Sequence, residues 1–335
     1  MSTTTITAPA VLVLPEGAPR DLWLAKRTEG IGGSDIAGIL GLSKWSSPYQ
    51  VWADKTGRSV DEAQTWPMFR GTEDEPKLRK WFTRAKGIAV TTTGMWQSVE
   101  HPFAFANPDG FTADGGGLEC KSHNWRMADD WDDGQVSDAA ELQSQWYMAV
   151  TGRDHWWAIA QLGDEEPVIR PIPRDQGLID SLLATAEAFW ANYVLTDTAP
   201  PLVSHDLDAI RARFSVVDVE AVDLDADDVE PLIADWQRAK AVEKAATSAA
   251  ALALARLRSA VGGAENVTVG GVPRLTCKNN GTFAASRFAT DHPDVAGECT
   301  KTVHVLDVDA LKQHHPNLYG QYRARVLRAV TIKEK

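Results

Sequence analysis

Two periodicities share this chain between them. Leu78, Trp81 and Phe82 recur at helical spacing within Gly71–Lys86, a run that Gly87 stops, and Ala139–Thr151 shows the same period. Shorter runs at 88–93, 103–106, 110–113 and 118–121 read as strands, and Gly115-Gly116-Gly117 folds the last two into a hairpin. The Trp-rich run His155–Leu162 is apolar at nearly every position, as a strand covered on both faces must be. Upstream, Gly30-Ile31-Gly32-Gly33-Ser34 leads into a short helix from Asp35 to Leu40, with Ser34 as its N-cap. Ser47-Pro48 then opens a second helix that runs to Lys55. Helices, several strands, then helix and strand again make an α/β core.

Tryptophan marks where that core ends. Twelve of the thirteen lie between Trp23 and Trp190, and only Trp236 lies beyond. Pro200-Pro201 interrupts regular structure, and an acidic stretch follows from Asp206 to Asp235. A long Ala-rich helix is expected from about Asp227 to Gly262-Gly263, then a hairpin turning at Gly270-Gly271, then a basic tail from Lys312 to Lys335. The expected organisation is a flexible segment over 1–20, a catalytic domain over 21–200 and an extension over 201–335. That extension comprises acidic linker, long helix, β-hairpin and basic tail.

Composition narrows the function classes. At 335 residues, 44% hydrophobic and 24% charged, the chain is of ordinary globular type. No uninterrupted apolar stretch is long enough to span a bilayer, so no membrane role is expected. The run Ala10–Leu14 lacks a basic segment before it and does not read as a signal peptide. Three scattered cysteines make neither a disulfide framework nor a four-thiolate metal site, so a reducing cytoplasm is the expected compartment. The net charge of −12 argues against indiscriminate coating of nucleic acid. It leaves room for a nucleic-acid enzyme whose carboxylates hold metal ions.

The chemistry concentrates in Pro108-Asp109-Gly110 and Glu119-Cys120-Lys121. Residues two apart on a strand share a face, so Glu119 and Lys121 point one way while Leu118 and Cys120 point into the core. The triple-glycine hairpin brings Asp109 alongside them. Two carboxylates about 4 Å apart repel by roughly 4 kcal/mol at an effective dielectric near 20, so a cation must settle between them. Oxygen ligands alone favour Mg²⁺ or Mn²⁺. A lysine beside that cation can orient a water or stabilise charge on a phosphoryl oxygen. An acid-x-lysine pair by itself is an ordinary solvated ion pair, and the facing aspartate is what sets this one apart.

Pro108-Asp109…Glu119-x-Lys121 resembles the PD-(D/E)XK nuclease signature. The neighbouring motifs narrow the resemblance to the YqaJ-like viral recombinase group, which includes lambda-type phage exonucleases. Those motifs are Arg27…Gly30-Ile-Gly-Gly-Ser34-Asp35, Pro48-Tyr-Gln-Val-Trp52, Arg70-Gly-Thr-Glu-Asp-Glu75-Pro and Gln143-Ser-Gln145-Trp-Tyr-Met-Ala-Val-Thr-Gly152. The likeness covers Arg27 to Leu162, with a looser match around Tyr319, Tyr322 and Arg328. It implies a restriction-endonuclease-like core, a central mixed sheet flanked by helices, with an α-helical and β-hairpin C-terminal extension. Carried over residue by residue, it makes Asp109, Glu119 and Glu75 metal ligands together with the Cys120 carbonyl, and Lys121 the catalytic lysine. Gln143 and Gln145 match the glutamines of the following helix, either of which can be the functional one. Arg27 and Ser34 match the residues that hold a 5′-phosphate. Arginine suits bidentate phosphate contact, and Ser34 at a helix start suits an anion.

The implied activity is 5′ to 3′ degradation of linear double-stranded DNA using one or two Mg²⁺ (or Mn²⁺) ions. It leaves 3′ tails for homologous recombination with a single-strand annealing protein. The resemblance also implies a trimeric ring and a phage or prophage origin. A structure- or site-specific endonuclease on the same core, and a non-catalytic DNA- or partner-binding accessory, remain alternatives. Other chemistries fall away. His101, His123 and His155 have no helical-spacing partner, no P-loop or Gly-x-Ser-x-Gly elbow is present, and three cysteines are too few for an iron–sulfur cluster.

Overall fold

Residues 8–59, 65–215, 221–278, 281–301 and 305–323 are described by the computed structural model. The chain divides into two compact units, Met1–Ser215 and Val216–Lys335.

In the first unit the strand-like runs assemble into a five-stranded sheet, ordered β2 (Val90–Thr91), β5 (Gly110–Thr112), β6 (Gly117–His123), β7 (His155–Leu162) and β8 (Val168–Pro173). β6 and β7 run parallel and the remaining pairs antiparallel, so the sheet is mixed, as expected for this fold class. A smaller antiparallel sheet holds β1 (Ala10–Leu14), β3 (Met95–Ser98) and β4 (Phe105–Ala106). The expected flexible segment 1–20 is therefore corrected over Ala10–Leu14, which is a paired strand. Its apolar run has a partner edge to satisfy its backbone. Residues 1–7 lie outside the described residues.

Helices cover both faces. On one side α4 (Trp66–Lys86) lays Leu78 and Phe82 against Leu118, Cys120 and Ile159. On the other, α5 (Asp138–Thr151) buries Trp146, Tyr147 and Met148 in the main core with Trp156, Ala158 and Ala160. α4 begins five residues before the expected Gly71. Pro67 falls in its first turn, where a missing N–H costs nothing, so it does not stop the helix.

α2 (Gly33–Ile39) and α6 (Gln176–Phe189) pack on α5, α3 (Pro48–Lys55) packs on α2, and α1 (Arg20–Thr28) packs on α3. Ser47 caps α3 as its sequence predicts, accepting from Gln50 N–H at 3.0 Å. The expected acidic linker from Asp206 is corrected in its first part. Asp206–Arg213 forms α7 within the first unit, with Asp206 buried and accepting from the Ser47 hydroxyl and from Val203 N–H.

In the second unit α8 spans Ala226–Val261, capped by Asp225 and ended by Gly262. A hairpin follows, β9 (Asn266–Val269) with β10 (Val272–Thr276). Gly270 and Gly271 turn it with φ of +58° and +81°, the conformation that a tight two-residue turn demands. Among the described residues four short helices follow, α9 (Ala285–Asp291), α10 (Pro293–Glu298), α11 (Val308–His314) and α12 (Pro316–Gln321). The second half of the expected basic tail, 324–335 with Arg328, lies outside the described residues.

Candidate active site

The β5–β6 hairpin sets the site. Gly110 pairs with Leu118, which brings Asp109, one step earlier, opposite Glu119. Asp109 Oδ2 accepts the Cys120 N–H at 2.5 Å. Alternation along β6 sends Leu118 and Cys120 toward α4, while Glu119 and Lys121 face α5. Lys121 Nζ lies 2.7 Å from Glu119 Oε1 and donates to Gln143 Oε1 at 2.8 Å. Gln143 in turn donates to the Tyr147 hydroxyl at 2.9 Å. Glu75 on α4 lies 3.6 Å from the Arg79 guanidinium, which also donates to the Asp109 carbonyl at 3.3 Å.

One cavity is lined by Glu75, Asp109, Glu119, Cys120, Lys121 and Gln143, and also by Arg27, Ser34 and Tyr147. Gln145 is not among them. It is fully buried elsewhere, donating to Glu141 and the Pro173 carbonyl and accepting from Asp175 N–H. The expected site role of Gln145 is thus corrected. Residues two apart on a helix point about 200° away from each other, so the two glutamines cannot share a face. The Cys120 thiol packs with Leu78 and Phe82 and takes no part.

Charges in the cavity act on one another at close range. Burial raises the Asp109 carboxyl well above the usual range, and Glu119 and Glu75 beside it push it further. Glu119 is raised by burial even against the opposing pull of Lys121. Lys121 is the reverse case. Burial lowers its pKa, but Glu119 and Asp109 outweigh that and hold the amine charged. Burial and both carboxylates push the Tyr147 phenol up, keeping it neutral.

A cation fits this donor set. Glu119 Oε2 is buried without a hydrogen-bond partner, a costly state that an ion or its water would relieve. Among the described residues no three His, Cys, Asp or Glu side chains close around a point. An ion here would therefore draw on Asp109, Glu119 and the Cys120 carbonyl, with water filling the remainder of its shell.

At the cavity's other end, Arg27 Nη2 meets Ser34 Oγ at 3.4 Å and Asp35 Oδ1 at 3.0 Å. The expected N-cap is corrected here. Gly32 caps α2, with the Asp35 carboxylate reaching back to its N–H at 2.8 Å, and Ser34 sits inside the helix with its hydroxyl facing Arg27. Two glycines permit this packing. A Cβ on Gly30 would overlap the Phe105 ring, and one on Gly33 would meet Tyr147 and Gln143 below 3.0 Å.

Sequence reasoning passed over Tyr147, Trp23 and Asn107, all at the cavity wall. Tyr147 had a readable signal, since it lies four residues after Gln143 and so one helical turn along the same face. Trp23 and Asn107 carried none, because the hydrogen bond from Trp23 Nε1 to Asn107 Oδ1 at 3.3 Å joins segments 84 residues apart.

Residues 22–154 match the YqaJ-like viral recombinase domain, a stretch that contains every residue of the cavity wall. The uncharacterized protein YqaJ of Bacillus subtilis strain 168 is 34% identical over 189 residues, covering 55% of this chain. The match spans 59% of that relative's length. Among solved structures, LHK-Exo in complex with dAMP is 24% identical, with TM-score 0.46 over 53% of this chain and 93% of its own. A second LHK-Exo structure, an alkaline exonuclease from Laribacter hongkongensis, is 23% identical with TM-score 0.44, covering 53% of this chain and 93% of its own. A phage-related exonuclease from Haemophilus somnus 129PT is 14% identical with TM-score 0.37, over 50% of this chain and 96% of its own. Among the described residues no helix is long and apolar enough to cross a membrane.

Proposed function

We propose that this chain is a phage-type recombination nuclease, a metal-dependent exodeoxyribonuclease that degrades linear double-stranded DNA 5′ to 3′ and leaves 3′ single-stranded tails. One observation carries the reading. Asp109 and Glu119 from a hairpin, Lys121 beside them and Glu75 from a separate helix line one cavity that also holds Arg27 and Ser34.

Asp109, Glu119 and the Cys120 carbonyl, with Glu75 nearby, would hold one or two Mg²⁺ or Mn²⁺ ions, which would supply the Lewis acidity that makes water a nucleophile at neutral pH. The chain's own groups do the rest. Arg27 and Ser34 hold the terminal phosphate, which registers the first phosphodiester against the carboxylates. Lys121 keeps its proton and directs it at a phosphoryl oxygen, where negative charge builds during attack. Gln143, anchored by Tyr147, fixes the Lys121 amine in place. Family resemblance is the support for an annealing partner, a trimeric ring and action in a bacterial cytoplasm.

Linear duplex labelled at either the 5′ or the 3′ end, incubated with Mg²⁺, Mn²⁺ or chelator, tests the reading. The expected result is cation-dependent release of 5′-terminal nucleotides. Lys121→Ala should lower kcat at least about 100-fold, as loss of a transition-state donor does. Cutting of covalently closed circles would replace the exonuclease with an endonuclease. No hydrolysis with either cation would overturn both and favour a DNA-binding accessory.

A further inference from the structure

Behind the phosphate-facing groups lies a buried ion pair that the chemistry above does not use. The side chains of Lys55 and Asp35 are only 1% and 4% exposed, and Lys55 Nζ lies 2.6 Å from Asp35 Oδ2. The same amine donates to the Arg27 backbone carbonyl at 3.0 Å. The other carboxylate oxygen, Oδ1, accepts from Arg27 Nη2 at 3.0 Å. Lys55 therefore grips Arg27 at both ends, its backbone directly and its guanidinium through Asp35. The guanidinium also lies over the Trp23 ring, 5.4 Å from its centroid. Among the described residues the contacts of the guanidinium to Ser34 and Asp35 both use Nη2, which leaves Nη1 and Nε for a ligand.

Charge alone does not explain this arrangement. Asp54 lies close enough to interact with Arg27, Asp35 and Lys55, so two cations face two carboxylates and the cluster carries little surplus charge. What it offers an anion is direction, a guanidinium already turned toward the cavity before any phosphate arrives. Neither Lys55 nor Asp35 lines that cavity.

We infer that Lys55 and Asp35 are positioning residues that hold Arg27 for a terminal phosphomonoester, and so set a preference for 5′-phosphorylated over 5′-hydroxyl ends. This deepens the nuclease reading and rests on it.

The experiment uses the full chain and duplexes that differ only in the 5′ group. The wild type should prefer the phosphorylated end. Lys55→Met should lower the ratio of kcat/KM between the two ends about tenfold, through KM, with turnover on the hydroxyl end retained. Lys55→Arg should restore much of the ratio. Because Lys55→Met strands a buried carboxylate, the double variant Asp35→Asn/Lys55→Met removes both charges and should show the same loss of selectivity. Binding of 5′-phosphorylated and 5′-hydroxyl oligonucleotides in chelator, followed by fluorescence anisotropy, gives a readout without catalysis. If no hydrolysis occurs at either end, the nuclease reading fails, and the anisotropy ratio alone decides this inference. A wild type without end preference, or a double variant that retains it, would overturn the inference, as would equal losses on both ends.

Discussion

Gln143 and Gln145 differ by two positions and by everything else. The first spends its amide on Lys121 and Tyr147 at the cavity wall, and the second makes three hydrogen bonds, one to Glu141 within α5 and two that tie α5 to the β8–α6 junction. Their alanine variants should therefore separate. Gln145→Ala should cost about 3 kcal/mol of unfolding free energy, at about 1 kcal/mol per bond, with kcat of the folded fraction unchanged. Gln143→Ala should leave the thermal midpoint within a few degrees and lower kcat about tenfold or more, because Lys121 loses its second anchor. Denaturant titration paired with kinetics distinguishes the two.

At the scale of elements, the site depends on how closely α2 approaches α5. Gly33 abuts Tyr147 and Gln143, where an added Cβ would sit 2.7 Å from the phenol ring and 2.9 Å from the glutamine Cγ. Gly33→Ala should destabilise the fold by about 1–3 kcal/mol, the usual cost of overpacking, and also slow catalysis by displacing Gln143. Calorimetry and kinetics on one preparation measure both.

The turn of the β5–β6 hairpin has its own clasp. Burial would raise the Asp114 carboxyl, but the Thr112 hydroxyl, Trp157 N–H, His155 and Gly116 N–H outweigh it and bring it from 3.8 to about 2. A depressed carboxyl stabilises the fold above its unfolded value and loses that contribution as pH falls from about 4 to about 2. The side chain is 30% exposed, so after solvent screening the contribution is under about 1 kcal/mol. Asp114→Asn should lower stability slightly at pH 7, with the difference from wild type vanishing near pH 2 in urea titrations.

For the whole molecule, every residue of the cavity wall belongs to the unit that ends at Ser215. The proline pair at 200–201 is a poor place to cut, because α7 beyond it returns to α3. Buried Asp206 takes the Ser47 hydroxyl, and Arg213 donates to the Tyr49 hydroxyl at 3.1 Å. A fragment ending at 215 should keep the fold and whatever DNA-end degradation the full chain shows. One ending at 200 should be less stable by about 2 kcal/mol or more, since Asp206 supplies charged hydrogen bonds. Thermal unfolding of the two fragments checks this.

Local pattern determined much of this protein. Strand alternation assigned opposite faces to Glu119 and Cys120, the triple glycine closed the hairpin that brings Asp109 to Glu119, and helical spacing put Leu78 and Phe82 on the core side of α4. These rules work within a few residues, where backbone geometry fixes direction. Contacts between distant segments were decided only by the tertiary structure. Asp35 looks in sequence like a charge that would repel a phosphate, yet it is neutralised by Lys55 twenty positions on and turned into a support for Arg27. The proline pair reads as a boundary, yet the chain crosses it to bury Asp206. A carboxylate's partner is chosen by which charge the packed core brings within about 3 Å, and no periodicity along the chain encodes that distance.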